Sequence, residues 1–169
     1  MKVEKITNIK KFSKMRVEQL KEEFNKFNKV RVFTNTDKYK GIVIIKDIDF
    51  SSKCEHHLVS IRGKVHVGYI PHEWLVGLSQ IPRIVEHFMN PTTEIIQETV
   101  NKQIIDFIDN LLNPSGIMVV IEAEHDCMCH RGVKQRNART ITSEIRGLFY
   151  HADVKQEFFE LIKLRRLLE

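Results

Sequence analysis

The stretch VIIKDIDFSSKCEHHLVSIRGKVHVGYIP, residues 43–71, decides how this sequence folds. Its apolar residues are mostly β-branched and partly alternate with polar ones, which is the pattern of half-buried strands. We expect Arg62 and Gly63 to form a tight hairpin turn between two of these strands. Pro71 should end the last one, because proline has no N–H to donate. Three strands are therefore predicted, at residues 43–50, 58–61 and 64–70.

Helical patterns lie on both sides of this stretch. Apolar residues that recur every three or four positions predict helices over residues 15–27, 81–89, 93–112 and 154–168, and two further apolar runs predict strands over residues 117–124 and 140–149. Thr92 or Thr93 would cap the third helix. Helices packed on an antiparallel sheet make an α+β fold. The sequence has no glycine-rich phosphate loop, so a dinucleotide-binding or P-loop fold has no support.

The composition is that of a folded globular chain. The 169 residues are 42% hydrophobic and 29% charged, which excludes disordered and collagen-like classes. Lys and Arg exceed Asp and Glu by 27 to 22, a net charge of +5 that suits an anionic partner. No run approaches the ~18 apolar residues of a membrane helix, and the first twelve residues lack the apolar core of a signal peptide. We therefore expect a cytoplasmic protein without membrane contact.

Two clusters carry the residue types that bind metals. Cys54-Glu55-His56-His57 follows one predicted strand, and His125-Asp126-Cys127-Met128-Cys129 follows another. Thiolates and imidazoles are the ligands that zinc prefers, and an odd count of three cysteines argues against a disulfide framework. His57 and Cys127 are 70 residues apart, so the site would be assembled from two distant strand ends rather than as a zinc finger.

The spacing is compatible with two kinds of zinc site. Three ligands, with Cys127 joining Cys54 and His57, would leave a fourth position for water, the pattern of catalytic sites. Cys129 as a fourth ligand would instead close a structural site. His56 and His125 lie beside either site, where they would serve as general acid–base groups or as residues that orient the ligands.

Five motifs together resemble the type I, zinc-dependent GTP cyclohydrolases in order and spacing. They are CEHHLVSIRGKVHVGYIP, GLSQIPRIVE, IQETVNKQI, EAEHDCMCHRGV and TSEIRGLF, and the resemblance runs from about residue 47 to residue 161. It implies a zinc ion held by Cys54, His57 and Cys127 with water at the open position, and it leaves Cys129 a bystander. It implies that His56 and His125 transfer protons. The implied substrate contacts are Glu98 at the guanine edge with Gln97 nearby, Ser79 at the ribose, Arg83 and Arg131 at the triphosphate, and Lys11 and Lys14 reaching a neighbouring subunit's phosphates.

The resemblance also implies an activity and an assembly. The activity is hydrolysis of GTP to 7,8-dihydroneopterin triphosphate and formate, the first step toward folate, a pterin cofactor or a deazaguanine base. The fold is the tunnelling fold, in which an antiparallel sheet carries helices on one face. Subunits join their sheets into barrels, commonly as a homo-decamer. Residues 1–40 would be a short helical segment, and residues 41–169 the catalytic part of one domain.

One departure from the family pattern keeps rival hypotheses open. Gln80 follows Ser79 where the family usually has Lys, which removes a cation expected at the triphosphate. The chain could therefore be an enzyme of the same fold that acts on another purine nucleotide. It could also be a non-enzymatic, zinc-stabilised domain, which the basic charge and Cys129 motivate. We do not expect nucleic-acid binding, because the sequence has few aromatic residues of the kind that stack on bases.

Overall fold

A five-stranded sheet forms the centre of the computed structural model, which describes residues 30–164. Its strand order is β5-β2-β3-β6-β7, with β2, β3, β6 and β7 antiparallel and β5 parallel to β2. The short strands β1 and β4 pair separately. The strands are β1 Val32–Thr34, β2 Val43–Cys54, β3 Ser60–Ile70, β4 Trp74–Val76, β5 Glu94–Ile95, β6 Gly116–His125 and β7 Thr140–Gly147.

Helices cover both faces of this sheet. They are α1 Gln80–Phe88, α2 Gln97–Leu112, the single turn α3 Asp126–Cys129 and α4 Ala152–Lys163, with a 3₁₀ turn at Leu148–Tyr150. Alternate residues of a strand point to opposite faces. Ile117, Val119 and Ile121 of β6 accordingly join the larger core with α1 and α2, whereas Met118 and Val120 pack with Phe149 and Phe158 on the other face. The predicted α+β class is confirmed. The expected antiparallel sheet with helices on one face is not observed as such, because β5 runs parallel to β2 and α4 packs on the face opposite to α1 and α2.

The predicted hairpin turn at Arg62 and Gly63 is wrong. Both residues lie inside β3, where Gly63 pairs with Phe50 on one side and Ala123 on the other. A Cβ on Gly63 would lie 2.0 Å from the carbonyl oxygen of Glu122. The glycine therefore serves the close approach of β6 rather than a turn, and the chain reverses at residues 55–59 instead.

The helix predicted from residue 93 begins later, at Gln97. Glu94 and Ile95 form β5, paired in parallel with Lys53 and Cys54. The carbonyl of Thr93 accepts a hydrogen bond from the N–H of Lys53, 3.0 Å away, so it is held by the sheet rather than by a helix. As a consequence Gln97 and Glu98 lie in the first turn of α2, next to the strand end that carries Cys54.

The remaining elements agree closely with the patterns. Asn113, in the left-handed conformation at φ 44°, ends α2 at the predicted place. The strand predicted to residue 149 ends at Gly147 and passes into the 3₁₀ turn. The predicted helix over 15–27, together with Lys11 and Lys14, lies outside the described residues. Within residues 30–164, no helix combines the length and the apolar character needed to cross a membrane.

Candidate active site

The first two metal-ligand candidates meet at the reversal between β2 and β3. Cys54 is the last residue of β2, and its carbonyl accepts hydrogen bonds from the N–H groups of His57 at 3.3 Å and Leu58 at 2.7 Å. Leu58 adopts a positive φ of 55°, which completes the tight reversal. This turn brings the Cys54 Sγ to 3.9 Å from Nδ1 of His57.

The third candidate comes from the turn that follows β6. Cys127 lies in α3, and its Sγ lies with the Cys54 Sγ and a His57 ring nitrogen in a group whose ligand atoms are all within 4.8 Å of one another. Cys54 is buried, Cys127 is half-buried and His57 is exposed. The pKa of the Cys127 thiol is raised, first by burial and then by the neighbouring Cys54.

The donor chemistry of this group fits zinc. Two thiols and an imidazole converge without a fourth protein ligand among the described residues, which is the composition of a catalytic rather than a structural site. Cys129 is not part of the group: its side chain is buried, with its Sγ 3.7 Å from the carbonyl oxygen of Ala138. Of the two alternatives that the spacing left open, the geometry favours the three-ligand site.

The two candidate proton-transfer histidines differ in their surroundings. His125 ends β6, and its Nε2 lies 2.7 Å from Oε1 of Gln97. The pKa of His125 is lowered by burial, and the carboxylate of Glu98 partly opposes this effect. His56 is exposed in the reversal after β2, and its ring centroid lies 6.3 Å from that of His57.

Gln97 and Glu98 occupy the first turn of α2 but face different environments. The Gln97 side chain is 2% exposed, and its Nε2 donates to the carbonyl oxygens of Ile121 and Thr140, each at 3.1 Å. Glu98 is exposed, and its carboxylate lies at the N-terminal end of a 16-residue helix, where the helix dipole favours a negative charge.

The remaining candidates are exposed side chains on α1 and in the loop after α3. Ser79 is the N-cap of α1 but makes no capping bond with its hydroxyl, and Arg83 lies one turn further along the same helix. Arg131 lies in the loop that follows α3. In the part of the chain that the structure describes, no hydrogen bond or ion pair joins these three side chains to the metal-ligand group.

Two polar residues beside Gln97 were missed by the sequence reasoning. Thr142 Oγ1 accepts from Gln97 Nε2 at 3.2 Å and from Asn101 Nδ2 at 3.1 Å. Asn101 is 1% exposed, one helical turn after Gln97, in line with the buried Ile104. A signal was present: two amides four residues apart on the apolar face of a helix are expected to be buried and hydrogen-bonded.

A second cluster of possible ligands lies next to the first. Glu124, Asp126 and His130 bring ligand atoms within 4.8 Å of one another. Arg62 donates to Asp126 at 2.9 Å, however, and Arg139 pairs with Glu124 at 3.0 Å. The arginines thus supply the positive charge that a metal ion would otherwise supply, and the cluster is an ion-pair network.

Comparison with known proteins agrees with the resemblance. The family model described as GTP cyclohydrolase I matches residues 5–163. A protein of Parabacteroides distasonis named GTP cyclohydrolase 1 is 50% identical over 128 residues, which are 76% of this chain and 64% of that protein. One of Porphyromonas gingivalis, of the same name, is 48% identical over 76% of this chain and 65% of that protein. The chain thus spans just under two thirds of these two relatives.

A more distant relative and a solved structure extend the comparison. The GTP cyclohydrolase 1 of Aquifex aeolicus is 42% identical over 153 residues, which are 88% of this chain and 81% of that protein. The archaeosine synthase QueF-Like in its apo form superposes with a TM-score of 0.52 at 16% identity, over 63% of this chain and 94% of that chain. This second likeness concerns the fold alone, and it agrees with the α+β arrangement.

Proposed function

The chain belongs to the GTP cyclohydrolase I family, and on that premise we propose that it hydrolyses GTP to 7,8-dihydroneopterin triphosphate and formate. The observation that carries the proposal is the three-ligand group of Cys54, His57 and Cys127 beside the half-buried His125. Hydrolysis of a purine ring requires an activated water and a proton donor, which a zinc site with one open position and an adjacent imidazole can supply. The proposal of the overall reaction rests on family membership.

The metal ligands would be Cys54, His57 and Cys127. When bound there, zinc would lower the pKa of a coordinated water to about 7 and so supply a nucleophile at neutral pH. The chain's own groups handle the protons. His125, held at the end of β6, would protonate the purine nitrogen that becomes an amine as the five-membered ring opens, and the exposed His56 would exchange protons with solvent.

Glu98 is proposed to select guanine. Its exposed carboxylate can accept hydrogen bonds from N1–H and the 2-amino group of guanine, and the interaction between Glu98 and His125 supports this placement beside the reacting ring. Adenine has neither donor in that position. A site that pairs these donors would therefore reject adenine nucleotides strongly.

The remaining substrate contacts are proposed on exposure and chemistry. Ser79 has a hydroxyl free of any capping bond, which suits a ribose. Exposed guanidinium groups bind phosphates through paired N–H donors. The residues proposed for the triphosphate are Arg83, Arg131, Lys11 and Lys14.

The assembly is proposed to be a homo-oligomer of the tunnelling fold, a decamer by family resemblance. The exposure of His56, Glu98 and Arg131 in the single chain supports sites that open toward a neighbouring subunit. Residues 41–169 would form the catalytic part of one domain, preceded by a segment over residues 1–40 whose last part includes β1. We further propose that the enzyme works in the cytoplasm.

The test is incubation of the zinc-loaded full chain with GTP, followed by assays for formate and for pterin fluorescence after oxidation. Formate and pterin together would support the whole proposal. GDP, GMP and dGTP are assayed as alternative substrates, because Gln80 replaces the lysine that the family usually has at the triphosphate. Turnover of one of them in preference to GTP would favour the rival purine-nucleotide enzyme. Neither product, with zinc bound, would contradict an enzymatic role.

A further inference from the structure

The amide of Gln97 has only one orientation that its surroundings accept. Its Nε2 faces three acceptors, the carbonyl oxygens of Ile121 and Thr140 and the hydroxyl oxygen of Thr142, at 3.1, 3.1 and 3.2 Å. Two of these groups are backbone carbonyls, which cannot donate. Rotating the amide by half a turn would place its oxygen against both carbonyls. The network therefore fixes Oε1 toward His125.

This orientation determines where the proton of His125 lies. Oε1 of an amide only accepts hydrogen bonds, and Nε2 of His125 lies 2.7 Å from it, so this nitrogen must carry a hydrogen. A neutral imidazole has one N–H, and the other nitrogen is then an acceptor. Within residues 30–164, no protein group is hydrogen-bonded to His125 Nδ1. No hydrogen bond in the described part of the protein therefore occupies that nitrogen.

We propose that Gln97 is a positioning residue that holds neutral His125 in the Nε2–H tautomer, so that Nδ1 is the ring nitrogen with the free lone pair. The opposite tautomer would place two lone pairs 2.7 Å apart, one on Nε2 and one on Oε1. The catalytic part of this inference rests on the proposed function. The tautomer itself does not, because it follows from the hydrogen bonds alone.

The burial of Gln97 decides between a positioning role and a direct substrate contact. The side chain is 2% exposed, and its amide is engaged on both sides by the protein. A guanine ring could reach it only by displacing His125 or the bonds to β6 and β7. Gln97 therefore acts through the histidine, whereas the neighbouring Glu98 is exposed and able to meet a ligand.

The test is the ¹⁵N solid-state NMR spectrum of the zinc-loaded full chain labelled at its eight histidines. The His125→Asn variant identifies the His125 signals by their loss. Above the pKa of His125, we expect a protonated Nε2 and an unprotonated Nδ1. A protonated Nδ1 in the wild-type protein would overturn the inference. This spectrum needs neither turnover nor a variant of Gln97, so its failure is separate from a failure of the proposed function.

A pair of variants on the same helix tests the role. Gln97→Leu should remove the tautomer preference and lower kcat for GTP by about 100-fold, the scale of general acid–base catalysis, with KM changed less than about twofold. Gln103→Leu makes the same chemical change at an exposed position of α2 and should alter neither quantity. A raised KM with kcat retained in Gln97→Leu would mean that Gln97 touches the substrate, and the inference would fall.

Discussion

Two clusters of possible metal ligands lie side by side, and they differ in how their charge is balanced. Cys54, His57 and Cys127 gather thiols and an imidazole with no arginine or lysine bonded to them in the described part of the chain. The ligand atoms of Glu124, Asp126 and His130 also lie within 4.8 Å of one another, but Arg62 and Arg139 already neutralise the two carboxylates. Proximity of ligand atoms is therefore not enough to define a metal site. The group that lacks a counter-charge is the one that we propose to bind a cation.

The largest difference between the two clusters is expected when a ligand is removed from the first one. Cys127→Ser should lose bound zinc and lower GTP turnover by at least about 1000-fold, since the nucleophile depends on the metal. Zinc per chain and formate release measure the two effects. Cys129→Ser is the matched control, a buried cysteine two residues away, and it should keep its zinc. Loss of zinc from the control would restore the closed four-ligand site.

A second prediction concerns a cation added where the triphosphate is proposed to bind. Gln80 is buried at the start of α1, and a lysine there could extend its ammonium to the surface. Gln80→Lys should lower KM for GTP by about fivefold, the scale of one partly exposed ion pair. The inhibition constant of guanosine against GTP should not change, because guanosine has no phosphates. Equal effects on GTP and guanosine would show that residue 80 does not act through the triphosphate.

A milder change probes the second cluster. Asp126→Asn removes the carboxylate that Arg62 and His130 share. Because Arg62 is largely exposed, we expect a loss of only about 0.2–1 kcal/mol in the free energy of unfolding. Zinc content should stay at one ion per chain. Chemical unfolding and metal analysis measure the two quantities. A fall in zinc content would mean that the ion-pair network takes part in metal binding.

The smallest effect is expected at His66, a buried histidine of β3 that belongs to neither cluster. His66 Nδ1 accepts the N–H of Asp47 at 3.1 Å. Burial lowers its pKa from 6.5, Asp47 and Glu122 raise it, and Lys46 and Lys64 lower it. Because the native state then binds fewer protons than the unfolded chain, the free energy of unfolding should fall as pH drops through 6.5 toward the native pKa.

The His66→Gln variant isolates this contribution. Chemical unfolding of the zinc-loaded protein above and below the ordinary histidine pKa should show a flatter pH dependence in the variant than in the wild type. His72→Gln, at an exposed position, should keep the wild-type slope. Metal release at low pH affects all three proteins alike, so the difference in slopes reports His66. Identical slopes in His66→Gln and wild type would contradict the expectation.

Local patterns predicted the elements whose cause is local. The strands around residues 43–50 and 117–124 were found because apolar and β-branched runs report burial directly. Gly63 was misread because a glycine that admits a neighbouring strand and a glycine in a turn look the same in sequence. The start of α2 was misplaced because residues 94–95 pair with β2. The paired positions are some forty residues apart, and local propensity carries no information about such a contact.

In the candidate site, too, the local features were predicted from the sequence and the long-range contacts were not. The residue types in two short motifs predicted a metal site but left three or four ligands open, the family resemblance implied three, and the structure brings those three residues together. The bond between Gln97 and His125 was not anticipated, since the two residues are 28 positions apart and neither motif indicates the other. Their pairing depends on where α2 begins, which is the boundary that the sequence placed wrongly.

The parallel pairing of β5 with the end of β2 couples two events that look separate. Cys54 is paired with Ile95, the N–H of Glu55 donates to the carbonyl of Ile95 at 3.1 Å, and α2 begins two residues later. The proposed metal ligand Cys54 and the start of the helix that carries Glu98 therefore share one short hydrogen-bonded junction. Linkage is reciprocal: if the metal tightens nucleotide binding by some factor, the nucleotide tightens metal binding by the same factor. Under the proposed function, GTP would then help this protein to retain zinc in a cell that is short of it.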